Sequence, residues 1–143
     1  MSNEVKLPRG IRNNNPLNIR KSADRWKGLR CVQKDKTFCQ FETIEWGWRA
    51  AFVILCKTYY GKYKLKTIRD IVSRWAPPKE NNTPAYIRHV SDYTGIGPDR
   101  DLGDPQTHPT NWLLIGYAMA VMENGKTLPP IPMIKGFALA VDS

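Results

Sequence analysis

The chain has 143 residues and a mass of 16.4 kDa, 41% of it hydrophobic, which predicts one domain with a core of its own and excludes disorder throughout. No apolar run reaches the eighteen or more residues of a membrane span; the best, Trp112 to Met122, is eleven long. The net charge of +9 is lopsided, with 19 Lys/Arg against 7 Asp/Glu in residues 1 to 90 and 3 against 6 in the remainder, so one face is expected to meet a polyanion: nucleic acid, an acidic cell-wall polymer or a membrane surface.

Met1 to Gly10 lacks the apolar segment of a secretory signal, and the expectation is a protein made in a cytoplasm that leaves it, if at all, by another route. Residues 8 to 28 are rich in Asn, Pro, Gly and Arg without periodicity and predict irregular backbone whose Asn side chains satisfy local amides. A β-hairpin is predicted over 29 to 41, from Leu29 to Gln33 and Thr37 to Phe41 around a polar turn at Lys34-Asp35-Lys36. Thr43 then caps a helix to about Tyr60, with Gly61 at its stop.

Thr67 opens a helix to Trp75 whose apolar stripe is Ile68, Ile71, Val72 and Trp75, and Pro77-Pro78 forbid its continuation. Thr83 followed by Pro84 reads as cap and first turn of a helix to 94, with Tyr86, Ile87, Val90 and Tyr93 inward. An Asp-, Gly- and Pro-rich loop follows over 95 to 109, then the most apolar helix, 111 to 124, with Trp112, Leu113, Ile115, Met119 and Met122 expected in the core. A short final helix is expected within 134 to 141. The fold class is α+β, mainly helical, with one small hairpin as the far wall of a groove.

Cys31, Cys39 and Cys56 have no paired spacing and no His partner in a zinc pattern, so they read as buried reduced thiols with no metal site. His89 and His108 are isolated, which argues against a nucleophilic triad. Gly95-Ile-Gly-Pro lacks the strand-turn-helix setting of a phosphate loop, and no cofactor is expected.

General acid catalysis then falls to five glutamates: Glu4, Glu42, Glu45, Glu80 and Glu123. Glu4 lies in a terminal tail. Glu123 sits at a helix end where its charge opposes the dipole, and reads as solvated. Glu42 and Glu45 flank a helix start that favours acids. Glu80 stands apart, in a proline-held loop beside Trp75 and Asn81-Asn82, where Thr83 already supplies the cap. It is the candidate proton donor, with an apolar wall on one side, and Glu45 is its candidate partner across the groove. Five tryptophans leave room for exposed platforms of the kind that bind sugars.

Two segments carry a resemblance: Arg9-Gly-Ile-Arg-Asn-Asn-Asn-Pro-Leu-Asn-Ile-Arg20 and Trp75-Ala-Pro-Pro-Lys-Glu-Asn-Asn-Thr83, with Trp26-Lys-Gly28, Phe38 to Phe41, Gly47-Trp-Arg-Ala50, Tyr86 and Val90 between and after them. Over residues 9 to about 96 the chain resembles a family of small phage and prophage proteins known as virion structural proteins or as lysozyme-like, peptidoglycan-degrading domains. The order of motifs is also similar to the middle of bacterial glucosaminidase domains and, more distantly, to lytic transglycosylases. Those enzymes carry their acid Glu at a helix end just before the Asn-Asn segment, whereas only Glu4 precedes it here.

The resemblance implies a single lysozyme-like domain over residues 1 to 143 that cuts bonds between amino sugars, by hydrolysis or transglycosylation, with Glu80 and Glu45 as the replacement carboxyls. Asn13, Asn14, Asn15, Asn18, Arg20, Trp75, Asn81, Thr83 and Tyr86 would hold the glycan. The alternative is a non-catalytic component packed in a tail or capsid that holds peptidoglycan, with other virion proteins as partners. A nucleic-acid-binding module ranks third, since no helix-turn-helix, zinc or sheet-aromatic signature is present. The implied location is the virion, or the periplasm after release by a route other than a signal peptide.

Overall fold

The computed structural model describes residues 6 to 142. Six α-helices are found among them: α1 (Arg9–Arg12), α2 (Ile44–Phe52), α3 (Ile68–Trp75), α4 (Thr83–Thr94), α5 (Pro109–Asn124) and α6 (Pro130–Val141). The architecture is mainly helical, and the helices share one hydrophobic core.

The Thr43 hydroxyl accepts from Trp46 N and starts α2 as expected. Beyond Phe52 the chain does not stay α-helical: Val53–Lys62 is a π-helix, closed where Tyr63 N donates to Thr58 O five residues back. α2 packs mainly on α6. A Cβ at Gly136 would lie 2.4 Å from the Trp48 Cβ, so only glycine permits this approach. Beneath it Trp48 stacks on Phe52, and Phe52 meets Phe137 edge to face at 5.0 Å.

Thr67 caps α3 by accepting from Asp70 N, and Ile68, Ile71 and Val72 are buried, with Trp75 half-buried. The cap of α4 differs from expectation. Asn82, not Thr83, accepts from Ala85 N, while the Thr83 hydroxyl donates back to Ala76 O and closes the Pro77-Pro78 loop. Tyr86, Ile87 and Val90 point inward, but Tyr93 is exposed and packs sideways on His89 and Tyr117.

α5 and α6 both begin on prolines, two and four residues earlier than the sequence reading placed them. A first-turn amide has no helical partner to lose, so Pro109 and Pro130 start these helices rather than interrupt them. Trp112, Ile115 and Met119 are fully buried; Leu113 is half-buried and Met122 is exposed, which corrects the expectation for Met122.

The hairpin expected over 29 to 41 is not a regular ladder. Thr37 to Phe41 makes one antiparallel bridge on each side, Arg20 with Phe38 and Leu29 with Phe41. Side chains do the rest: Gln33 and Gln40 exchange amides with the facing backbone, and Asp35 accepts from Thr37 N and Phe38 N. Amides held by side chains are not available to a ladder, which is why the β-prone residues make no extended strand. Cys31 in this segment is exposed, against expectation, while Cys39 and Cys56 are buried.

Candidate functional site

The Asn-rich segment sets one wall. Asn15, fully buried, receives Ile19 N on its Oδ1 and donates through Nδ2 to Ile19 O and Cys39 O. Asn13, also buried, donates to Asp35 and accepts from Gln40, and Asn14 donates to Phe41 O and Glu42 O. Asn14 and Asn18 adopt left-handed backbone, with φ of 52° and 53°, a conformation Asn tolerates better than most residues. The first three asparagines therefore brace the chain, and their amides are occupied internally.

The same brace fixes Asp35. The Arg9 guanidinium grips both of its oxygens at 2.6 and 2.7 Å and, with the Phe38, Asn13 and Thr37 donors, holds the carboxyl well below the usual carboxylate range. Arg9 also lies over the Phe38 ring, 4.6 Å from its centroid, and Arg20 lies over it at 5.6 Å.

Beyond this wall a cleft of about 330 Å³ opens. Leu17, Asn18, Ile19, Arg20 and Phe38 line one side; Tyr59, Trp75, Ala76, Pro77, Glu80 and Asn81 line the other, and Glu123 lies among them. Glu80 is exposed on its loop, its carboxyl makes no hydrogen bond among the described residues, and Trp75, Ala76 and Pro77 line the cleft with it. Asn81 donates to Pro77 O and holds the loop.

Glu45 is elsewhere. It lines a separate depression with Trp46, Lys135 and Leu139 between α2 and α6, so the expected pairing of Glu80 with Glu45 across one groove is not formed. Glu4 lies outside the described residues. Thr83 and Tyr86 are both buried, and Tyr86 presents its hydroxyl rather than its ring to the cleft region.

The carboxyl that shares the cleft with Glu80 is Glu123, at the end of α5. Its Oε1 accepts from Asn18 Nδ2 at 3.2 Å; its Oε2 accepts from the Tyr86 hydroxyl at 3.0 Å, and the Trp75 indole approaches it at 3.5 Å. Burial, and then the Glu123 charge, push the Tyr86 hydroxyl well above the ordinary phenol value, so this tyrosine stays a proton-bearing donor. Three donors from three parts of the chain thus hold one carboxyl in a defined orientation. Glu123 is therefore not the merely solvated helix-end residue that its position implies; its partners are 105, 48 and 37 residues away, and no local pattern reports them.

Asn18 itself is positioned by Gly10. Among the described residues the Oδ1 atoms of Asn18 and Asn124 are buried without hydrogen-bond partners, and both face the hydrogen-only side of Gly10, where a Cβ would come within 2.8 and 2.5 Å of them. Asn124 in turn donates to Pro16 O and Ala120 O, both at 2.8 Å, tying the end of α5 to the Asn-rich segment.

No family model matches the chain. Over 120 residues, covering 82% of this chain and 71% of the relative, it is 44% identical to Protein P5 of Pseudoalteromonas phage PM2. The chain belongs to the family of that phage protein. No helix among the described residues is long and apolar enough to cross a membrane, and no described group of His, Cys, Asp or Glu is placed to hold a metal ion.

Proposed function

We propose that this member of the phage protein family is a virion-associated, lysozyme-like domain that binds peptidoglycan glycan strands in the cleft and cleaves the bond between amino sugars. The observation that carries the reading is the meeting of two differently held carboxyls, Glu80 and Glu123, in one cleft lined by Trp75, Tyr59, Phe38 and Arg20. Glu80, exposed and unpaired among the described residues, donates its proton to the glycosidic oxygen as the C1–O bond breaks. Glu123, anchored by Asn18 and Tyr86, faces the positive charge that develops at C1 until water or a substrate hydroxyl adds there and returns its proton to the Glu80 carboxylate.

Of the residues expected to bind glycan, Asn18, Arg20, Trp75 and Asn81 line the cleft, and they are the ones assigned to it here. The Trp75 and Tyr59 rings offer apolar faces to sugar C–H groups, and Arg20 offers its charge to a muramic or stem-peptide carboxylate.

Zymography on purified murein, with wild-type protein beside Glu80→Gln and Glu123→Gln, tests the reading. Each variant is expected to keep the fold and lose cleavage by ~10² or more, the scale for removing a catalytic carboxyl. Wild-type cleavage by both variants would overturn the assignment.

A second reading, a non-catalytic virion component, is favoured by one surface. α6 exposes Ile131, Ile134 and Leu139, the last beside the half-buried Trp46, apolar surface suited to a neighbouring virion protein. On that reading wild-type protein binds murein without clearing it. A nucleic-acid role predicts a gel shift that weakens steeply with salt.

A further inference from the structure

The aromatic lining of the cleft does not stop at its rim. Tyr59, on the π-helix, lines the cleft, and Tyr63 follows it four residues later with ring centroids 6.4 Å apart and planes tilted by 38°. Arg74, next in sequence to the cleft residue Trp75, lies over both rings, 4.1 Å from the Tyr63 centroid and 5.9 Å from that of Tyr59. Lys62 approaches the Tyr63 ring at 5.7 Å. Tyr63 is 39% exposed and Arg74 is exposed. Among the described residues the ion pairs are Arg9 with Asp35 and Arg69 with Asp99, so no acid neutralises Arg74.

We propose that Tyr59, Tyr63 and Arg74 form a second binding platform, continuous with the cleft, that holds an anionic glycan strand beyond the sugars the cleft encloses. The proposal rests on the glycan reading of the cleft and extends it to a substrate class: polymeric, carboxylate-bearing strands in preference to short oligosaccharides.

Its chemistry follows from alternation. A peptidoglycan strand presents apolar sugar faces interrupted by lactyl and peptide carboxylates, and this surface presents rings interrupted by cations. Tyr59 belongs to both cleft and platform and so joins the two. A nucleic acid would also stack on rings and meet cations. Its phosphates, however, would be driven against Glu80 and Glu123 at the cleft end of the same surface, whereas a glycan places neutral hydroxyl and acetamido groups there.

The test uses the full chain as wild type, Tyr63→Ala, Arg74→Ala and the double variant, with Arg74→Lys as the conservative control. Two ligands are compared: insoluble murein sacculi in a sedimentation assay, and a soluble tetrasaccharide of alternating amino sugars by calorimetry. Each lost ring or cation contact weakens binding several-fold, so the double variant is expected to bind sacculi about 5- to 30-fold more weakly while holding the tetrasaccharide within about twofold of wild type. Because these side chains are exposed, melting should be unchanged.

Unaltered sacculus binding, or an equal loss for both ligands, overturns the platform. Displacement of sacculi by a single-stranded oligonucleotide from wild type but not from the double variant overturns the choice of ligand. Failure of wild-type protein to bind either glycan refutes the cleft reading itself, whereas wild-type binding with indifferent variants refutes only the platform.

Discussion

Gly10→Ala isolates the packing that positions the candidate site. Gly10 sits in α1 with ordinary helical backbone, where alanine is intrinsically better than glycine by about 0.5–1 kcal/mol. Helix propensity alone therefore predicts a more stable protein. The structure predicts the reverse, because the new methyl would sit 2.5 Å from Asn124 Oδ1, 2.8 Å from Asn18 Oδ1 and 2.8 Å from Asn15 O. The last is backbone in a tight turn, where Asn18 N donates to that same oxygen at 3.1 Å. The other two belong to amides whose nitrogens are engaged by Pro16, Ala120 and Glu123.

Relief thus means overpacking, at about 1–3 kcal/mol, together with one or two strained hydrogen bonds at about 1 kcal/mol each. After the gain in propensity the net loss is about 1–4.5 kcal/mol, which lowers a urea midpoint by roughly 0.5–3 M for a slope of about 1.5–2 kcal/mol/M. Because Asn18 must move, tetrasaccharide binding should weaken as well. Gly95→Ala is the control: its Cβ meets nothing within 4 Å, but φ is +74°, so it loses about 1 kcal/mol from backbone strain alone and leaves binding intact. A Gly10→Ala protein within 0.5 kcal/mol of wild type, or more stable, would refute the packing account.

Two further outcomes are expected. Asp35 is held below its ordinary value chiefly by Arg9, and a carboxyl depressed on folding contributes stability that is full above the unfolded value of about 4 and is lost as pH falls below it toward the folded value. Asp35→Asn should therefore lower the melting temperature at pH 7 and narrow its deficit at pH 3; an equal deficit at both pH values counts against the Arg9 pairing. Cys31 is exposed, while burial pushes the Cys56 thiol up to about 12 and raises that of Cys39. An aromatic disulfide reagent should accordingly titrate one thiol per native chain and three after denaturation, and three native equivalents would place Cys39 or Cys56 at the surface.

The helices were legible because their signals are local. Thr43 and Thr67 cap, Pro84 opens, Gly95 and Gly125 stop, and the Ile68-Ile71-Val72 stripe faces inward. Residue type is silent where side chains rather than backbone take up the amides, or where the partner lies far along the chain. Gln33, Asp35 and Gln40 took the amides that a hairpin would have paired, and the switch to a π-helix after Phe52 leaves no mark in residue type. The site divides the same way. Trp75, Glu80 and Asn81 lie within one short stretch of chain that reads as a unit, whereas Asn13 and Asn15 are taken up by Gln40, Asp35 and Cys39, partners that sequence does not reveal. Glu123 was missed for the same reason in reverse.

The arrangement around Glu123 also explains why the two conspicuous sequence segments lie so far apart in the chain. One supplies Gly10 and Asn18, the other supplies Trp75 and, through the Thr83 bond to Ala76 O, the fixed start of the helix that carries Tyr86. Both line the same cleft and converge on a carboxyl delivered by a third element, α5. A group held from three independent elements keeps its position only while all three are docked, so orientation of Glu123 is tied to the packing of the whole core rather than to any single loop. The Glu80 carboxyl has no such ties among the described residues. The cleft thus holds one carboxyl fixed from several elements and one, Glu80, free of such ties, and the proposed cleavage would assign the developing charge to the first and the proton to the second.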